Sequence, residues 1–300
     1  MRIRAAFLPA GCPERPANVE ALLNGIYAGA IYQFAANDES RAFVALCAEA
    51  FKEMSIDFSG GATRPPTPKE VEFTEQLDGG RNDLKARLFA LARTPAFVSA
   101  IRAVLQSHGL GAESVFQTFP PRAIAHDTVR GRISGAPPHR DTWFAAPQTQ
   151  INWWLALADI KPGNTISFRT DYFARPARNS SSNFDADEML RIIRSGRRPG
   201  DPDKMANAEL MEEMSFAEGL RPEVAGGEML AFSAAHLHAS YSDTPSFRAS
   251  AEFRSVSLAD DKAGLGAPNV DDESRGAWDL GTWPAVAGDA AQSPVERPRG

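Results

Sequence analysis

The chain has 300 residues, 43% hydrophobic and 23% charged, which is the composition of an ordinary globular protein with a substantial core. A net charge of −6 argues against a nucleic-acid-binding protein, which normally carries a basic surface. Two cysteines, Cys12 and Cys47, give no disulfide framework and no cysteine zinc site. No apolar run approaches the ~18 residues that a membrane span requires, and we expect no membrane partner. The apolar stretch after Met1 stops at Pro9, too early for a secretory signal, so we expect a cytoplasmic protein.

The N-terminal part, 1–113, is predicted to be helical. Asn18 can cap a first helix that runs to about Ile31, because the apolar residues after it follow a helical period. Thr94 is a candidate cap for a helix that starts with proline. Residues 58–68, rich in Gly, Pro and Thr, are expected to form a loop. The remaining predicted helices are 40–54, 83–93 and 95–108.

From Ser114 the pattern changes to short β-branched and aromatic runs between Gly and Pro turns, which is typical of a β-sandwich or barrel. The expected strands are 115–119, 150–157, 165–169, 221–224, 229–232, 236–241 and 248–256. A long insertion, 170–219, interrupts them, with helices expected from Asp185 and near Asp203. Insertions of this length often cover the mouth of a barrel as a lid. Residues 259–300 are expected to be an irregular tail of the same single domain, disordered after Ala285.

Three short pieces of the sequence together predict a metal site. His139 and Asp141 are two residues apart, so they point the same way on an extended segment, and His238 can join them from a distant strand. Two imidazoles and one carboxylate form the facial triad of non-haem Fe(II) oxygenases. Arg248 follows ten residues after His238, and a guanidinium suits a carboxylate co-substrate because it forms two parallel hydrogen bonds.

This set resembles the Fe(II)/2-oxoglutarate-dependent oxygenases, and within them the phytanoyl-CoA dioxygenase-like branch. The resemblance covers roughly residues 115–258, about half of the chain. The segments that carry it are 138–143, 152–157, 226–232, 238–240 and 248–254. It implies an α+β chain with a mainly β core, a double-stranded β-helix (a cupin-like jelly roll) with the N-terminal helices packed on it.

The resemblance also implies the cofactors and their ligands: Fe(II) on His139, Asp141 and His238, the co-substrate 2-oxoglutarate on Arg248, and O₂. His236 competes with His238 as the third ligand, because strand alternation would put both on one face. The spacing to Arg248 favours His238, and His236 is then expected beside the ligands or in the pocket wall. The carboxylate of Asp141 favours hydroxylation or a related oxidation over halogenation.

Five further residues are candidates for the pocket. Gln150, Asn152 and Trp154 share one face of a predicted strand. The two amides are predicted to bind the iron-bound end of 2-oxoglutarate or a substrate, or else to be satisfied inside the fold. Trp143 either lines the substrate pocket or closes the rim of the barrel. Arg254 either contacts substrate or pairs with a neighbouring acid.

Two functions fit these residues. The first is an oxygenase that oxidises an unactivated C–H bond of a small organic molecule and releases succinate and CO₂. The second is a cupin-like metal-dependent isomerase, or a small-molecule-binding protein, without O₂ chemistry. Arg248 favours the first, because the second needs no clamp for 2-oxoglutarate. The prime substrate and the oligomeric state do not follow from the sequence.

Overall fold

The computed structural model describes residues 2–9, 12–58, 64–78, 83–125, 136–195 and 207–288. The helices of this described part are α1 (Val19–Tyr27), α2 (Asp38–Lys52), α3 (Pro68–Asp78), α4 (Asp83–Leu91), α5 (Pro95–Ser107), α6 (Ala186–Arg194) and α7 (Leu258–Lys262). The strands are β1 (Ile3–Phe7), β2 (Ile31–Phe34), β3 (Ser114–Thr118), β4 (Arg122–Ala125), β5 (Gln150–Ala156), β6 (Asn164–Phe168), β7 (Met229–Ser233), β8 (His238–Ser242) and β9 (Phe247–Ser257).

The strands form two antiparallel sheets. The large sheet has the order β1-β2-β7-β5-β9-β3, with β4 also paired to β9. The small sheet pairs β6 with β8, and single bridges extend it on both sides. One bridge joins His139 to His238, and another joins Leu220 to Phe168. An antiparallel β core with helices around it is therefore confirmed.

The helices cover the outer face of the large sheet. Side chains alternate along β9, so Ala249, Ala251 and Phe253 point towards the helices and join the main apolar core. The ring of Phe43, on α2, lies 6.2 Å from that of Phe253 and 5.0 Å from that of Phe97, on α5. Burying a phenylalanine side chain of this kind stabilises a fold by roughly 1.5–3 kcal/mol.

The inner face of the large sheet packs against the small sheet. Trp154 and Phe232 from the large sheet meet Ile166 and Phe168 from the small one in a second apolar cluster. The Phe168 and Phe232 rings are 4.8 Å apart and edge-on. Polar side chains occupy the rest of the space between the sheets, and this space holds the candidate site.

Most predicted elements are confirmed. Asn18 accepts a hydrogen bond from the backbone of Ala21, and Thr94 accepts one from Phe97, as caps should. Asp185 likewise caps α6. The strands that match their predicted positions are β3, β5, β6, β7, β8 and β9.

Other predictions are wrong. The first helix does not reach Ile31, because the chain turns at Gly29, with a φ of 98°, and enters β2. Strands β1 and β4 and helix α3 were not expected. Residues 221–224 make isolated bridges at their margins rather than a strand. The helix expected near Asp203 lies outside the described residues.

The C-terminal segment, expected to be irregular, packs on the rest of the fold. Val286 is fully buried, and its backbone N–H donates to Ser114 at 2.8 Å. The predicted disorder after Ala285 concerns mainly 289–300, outside the described residues. Within the described ranges, no single helix has the length and apolar composition to cross a membrane; α4 and α5 pass that test only as a pair bent by 53°.

Candidate metal centre

Two of the predicted ligands are brought together by the backbone itself. The N–H of His139 donates to the carbonyl of His238 at 2.9 Å, and the N–H of His238 donates back at 3.0 Å. Residues paired in this way in an antiparallel ladder carry their side chains on the same face. The two imidazole centroids are accordingly 4.4 Å apart.

Asp141 completes the cluster from a short 3₁₀ helix, Asp141–Phe144. Its backbone N–H donates to Ala234 at 3.0 Å, which ties the start of this helix to the turn before β8. Its Oδ1 lies 3.8 Å from Nε2 of His139. One potential ligand atom from each of His139, Asp141 and His238 lies within 4.8 Å of the others, and no other such cluster occurs in the described ranges. The structure thus brings the three predicted ligands together, and metal binding by these residues stays a prediction.

The tautomers of both histidines suit a metal. Nδ1 of His139 is 2.7 Å from the carbonyl of Pro137, and Nδ1 of His238 is 2.9 Å from that of His236. A carbonyl only accepts hydrogen bonds, so each Nδ1 carries the proton and each Nε2 keeps a lone pair for a cation. Burial, helped by the neighbouring His139, lowers the pKa of His238 to about 4 and keeps this imidazole neutral near pH 7.

The carboxylate of Asp141 is held from two sides. Its Oδ1 accepts a hydrogen bond from Nη2 of Arg254 at 2.7 Å, and its Oδ2 accepts one from the amide of Asn152. Burial alone would raise the pKa of Asp141, but the Arg254 guanidinium, the two imidazoles and the Asn152 amide together hold it at about 2. The group is therefore an anion at any ordinary pH, as a metal ligand must be.

The predicted amides serve this carboxylate. Nε2 of Gln150 donates to Oδ1 of Asn152 at 3.0 Å, which orients the Asn152 amide towards Asp141. The amides are thus satisfied inside the fold, by each other and by Asp141. The contact with 2-oxoglutarate predicted for them stays a prediction. Arg254 also donates to Oε1 of Glu252 at 3.1 Å, which is the pairing with a neighbouring acid that the sequence offered as one alternative. Its bond to Asp141 was not expected.

Arg248 lies on the inner face of β9 and has no anionic partner among the described residues. Its guanidinium donates to the carbonyl of Thr165 and, at 3.0 Å, to Oγ of Ser240, and it lies 5.9 Å from the Trp154 ring centroid. Its buried Nε has no partner, and it makes no ion pair with any described residue. Burial lowers its pKa to about 9. Ser240 follows His238 by two residues on the same strand face, about 6.8 Å further along.

No protein-family model matches this chain, and no curated protein matches it. Solved structures with partial likeness include EvdO2 from Micromonospora carbonacea var. aurantiaca complexed with 2-oxoglutarate, which is 15% identical with a TM-score of 0.38 over 84% of this chain and 94% of that one. The epimerase SnoN, in complex with Fe3+, alpha ketoglutarate and nogalamycin RO, is 17% identical with a TM-score of 0.37 over 89% and 99%. Likenesses this weak identify no family, so only the geometry of His139, Asp141 and His238 supports a metal site here.

His236 is close to the cluster in sequence but is not part of it. It lies in the turn between β7 and β8, so strand alternation does not apply to it. Its Nε2 is 3.1 Å from the carbonyl of Gly29, and its ring centroid is 4.6 Å from that of Phe173. Burial lowers its pKa to about 4. The structure therefore selects His238, and the pocket role expected of His236 stays a prediction.

Trp143 faces away from the metal ligands. It is fully buried in a third apolar cluster with Leu237 and Ala239, which flank His238 and point to the other side of the segment. Its indole N–H donates to Oδ1 of Asp271 at 2.8 Å. The two roles expected of Trp143, in the pocket wall or at the rim, stay predictions.

Two neighbours of the ligands were not found from the sequence. The Phe144 ring lies edge-on to His139, with centroids 5.9 Å apart, and it also contacts Phe184. Phe144 rather than Trp143 is the aromatic side chain beside His139. Its position directly after Trp143 is the sequence feature that could have indicated it. Arg140 stands between two ligands and is almost fully buried, a position that a sequence pattern alone treats as surface.

Proposed function

We propose that this protein is an Fe(II)- and 2-oxoglutarate-dependent oxygenase that oxidises an unactivated C–H bond of a small organic molecule. The observation that carries the proposal is the buried guanidinium of Arg248, which has no anionic partner among the described residues. It contacts Ser240, which lies two residues along β8 from His238. A buried charge without a partner is costly unless a ligand neutralises it.

The position of this charge defines its ligand. A molecule that binds both the metal and Arg248 must have a chelating group at one end and an anionic group at the other. A short 2-oxo dicarboxylate such as 2-oxoglutarate has both, and its distal carboxylate can form two parallel hydrogen bonds with the guanidinium. Trp154 and Phe232 supply an apolar wall for the carbon chain between those ends.

The residues of the triad fit iron by type and by protonation. Two imidazoles and one carboxylate on one side of a cation leave the other positions open to a co-substrate. When bound there, iron supplies the oxidising chemistry, and 2-oxoglutarate is converted to succinate and CO₂ in the presence of O₂. The chain's own part is to hold Asp141 through Arg254 and Asn152, and to keep the site between two sheets away from bulk water.

The proposal includes a finer description of the fold. We assign the two facing antiparallel sheets to a double-stranded β-helix, within the phytanoyl-CoA dioxygenase-like branch. The whole chain is proposed to be one oxygenase domain, whose insertion 170–219 covers the mouth. Antiparallel pairing of all the named strands and a site between the sheets support this.

The test measures binding of 2-oxoglutarate and its conversion to succinate, with and without Fe(II). Arg248→Met should raise the Kd of 2-oxoglutarate roughly 30- to 4,000-fold, because truncating one partner of a buried charged pair costs ~2–5 kcal/mol. Metal affinity should not change. Arg221→Met is the matched control, since Arg221 also lies over an aromatic ring, Tyr241, but pairs with Asp243 near the surface.

The outcomes separate the two candidate functions. Succinate formation that depends on Fe(II) and on Arg248 supports the oxygenase. A parent protein that binds the metal but neither binds nor turns over 2-oxoglutarate would favour the metal-dependent isomerase or binding protein. An unchanged 2-oxoglutarate affinity in Arg248→Met would move the clamp to Arg254.

A further inference from the structure

Arg140 lies between two metal ligands in sequence but points away from the metal. Its side chain is 1% exposed, although arginine is seldom buried to this extent without a partner. His139 and Asp141 on either side of it contribute to the cluster, while its guanidinium extends to the opposite side of the segment. A buried charge at such a position has a structural reason that the catalytic assignment does not include.

The guanidinium joins three distant parts of the chain. Its Nη1 donates to the carbonyl of Ala235, in the turn that leads into β8 and His238. Its Nη2 donates to the carbonyls of Tyr172 and Arg175, each at 2.8 Å, at the start of the insertion. Its Nε donates to Oδ2 of Asp271 at 3.1 Å, in the C-terminal segment.

Asp271 is held as firmly as the arginine. Its side chain is 6% exposed. Its Oδ1 accepts the indole N–H of Trp143 at 2.8 Å, and its Oδ2 also accepts the backbone N–H of Ala177 at 2.8 Å. Trp143 belongs to the same 3₁₀ helix as Asp141, and Arg140 is the residue just before that helix. Asp271 therefore holds the helix through Trp143 and its start through Arg140.

We infer that Arg140, paired with Asp271, is a positioning residue that sets the relative placement of the two ligand-bearing segments of the metal centre. One segment carries His139 and Asp141, and the other carries His238. The Arg140 guanidinium belongs to the first segment and binds the carbonyl of Ala235 in the turn just before the second. The inference rests on the proposed metal site but not on the identity of the co-substrate.

The expected effect is on metal binding. Partners that orient metal ligands without touching the metal typically contribute 10–100-fold in affinity. Removing the Arg140 side chain leaves the alignment of the two segments to the backbone hydrogen bonds between them. It also leaves the Asp271 carboxylate buried without its cation, which destabilises the fold. A loss of folding stability has to be distinguished from a loss of metal geometry.

The Arg64–Glu70 pair is a suitable control. Arg64 holds Glu70 through two hydrogen bonds of 2.8 and 2.7 Å, and the Glu70 side chain is 3% exposed. Among the described residues, the other hydrogen bonds of Arg64 run to the carbonyls of Pro65 and Asp57, away from the ligand-bearing segments. Arg64→Met therefore also leaves a buried carboxylate without its arginine, beside α3, without touching the metal centre.

The experiment titrates each metal-free protein with Co(II) and records the visible absorption of the bound ion, with thermal unfolding measured on the same samples. Arg140→Met should bind Co(II) roughly 10- to 100-fold more weakly than the parent and show a changed Co(II) spectrum. Arg64→Met should lower the Tm but keep the parent's affinity and spectrum.

A second variant covers the case in which Arg140→Met does not fold. Arg140→Lys keeps a cation beside Asp271, but a single ammonium cannot reach the carbonyls of Ala235, Tyr172 and Arg175 together. Its Co(II) affinity should still fall and its spectrum should still change. A folded Arg140 variant with the affinity and spectrum of the parent overturns the inference. A parent that binds no Co(II) would instead overturn the metal site of the proposed function.

Discussion

The two faces of β9 are both buried, yet they have different chemistry. Ala249, Ala251 and Phe253 point outwards into the apolar core under the helices. Arg248 and Arg254 alternate with them and point between the sheets, towards Ser240 and Asp141. One strand therefore supplies fold stability on one side and ligand chemistry on the other. Substitutions on the two faces should have separable effects.

The largest effect on metal content and turnover is expected on the inner face, at the Asp141 carboxylate that Arg254 holds. Asp141→Ala removes the only anionic ligand, so the protein should lose its metal on dialysis, and succinate formation should fall to background. Metal content and turnover are measured together. A variant that retains iron and activity would show that Asp141 serves only Arg254 and Asn152.

A paired substitution of the histidines sharpens the assignment. His238→Ala should lose metal and turnover, whereas His236→Ala should keep the metal, because His236 contacts the carbonyl of Gly29 and the Phe173 ring instead. Both variants remove a buried imidazole, so each controls for the stability loss of the other. The assignment is wrong if the two variants exchange these results.

On the outer face the prediction is a loss of stability alone. Phe253 is fully buried and contacts Phe43, so Phe253→Ala should lower the free energy of unfolding by ~3–5 kcal/mol through the lost burial and the remaining cavity. Chemical denaturation gives this value. Metal affinity of the folded fraction should equal that of the parent, and a marked decrease would mean that the two faces are coupled.

The smallest predicted effect is the pH dependence of folding stability that His108 contributes on the outer side of the large sheet. Burial lowers the pKa of His108, packed between Phe34 and Trp153, to about 4 from its ordinary 6.5. As the pH falls through this window, the unfolded chain takes up a proton that the folded chain does not, so stability decreases; it is fully present above pH 6.5. The contribution is at most about 3 kcal/mol.

The check compares unfolding free energies of the parent and His108→Phe across that pH window. The phenylalanine keeps the aromatic packing and removes the titration, so the variant should lose less stability than the parent as the pH falls. The remaining slope belongs to other groups such as His236. Parallel curves for the two proteins would show that His108 titrates normally.

The sequence predicted the metal ligands because their signal is local. His139 and Asp141 are two residues apart, and His238 precedes Arg248 by a fixed spacing. The expected extended segment is wrong in one respect, because Asp141 begins a 3₁₀ helix. The spacing to Arg248 already favoured His238 over His236, and the structure adds the reason, because the turn before β8 leaves only His238 on a strand.

Contacts between distant residues were beyond the sequence. Strand β2 is buried throughout and continues the apolar run of α1, so hydrophobic periodicity does not distinguish it from helix. The Arg140–Asp271 pair joins residues 131 positions apart, and neither residue carries a motif. The sequence left the role of Arg254 open, and its hydrogen bond to Asp141 followed only from the strand pairing that sets it opposite Asn152.

The reciprocal backbone bridge between His139 and His238 has a consequence for how such chains diverge. Sliding either segment by one residue would exchange an imidazole for a neighbour that faces the opposite side. Insertions and deletions are therefore compatible with the site only in segments outside this pairing, such as the insertion 170–219. The bridge is a fixed reference point from which distant sequences can be aligned, even where almost every other position has changed.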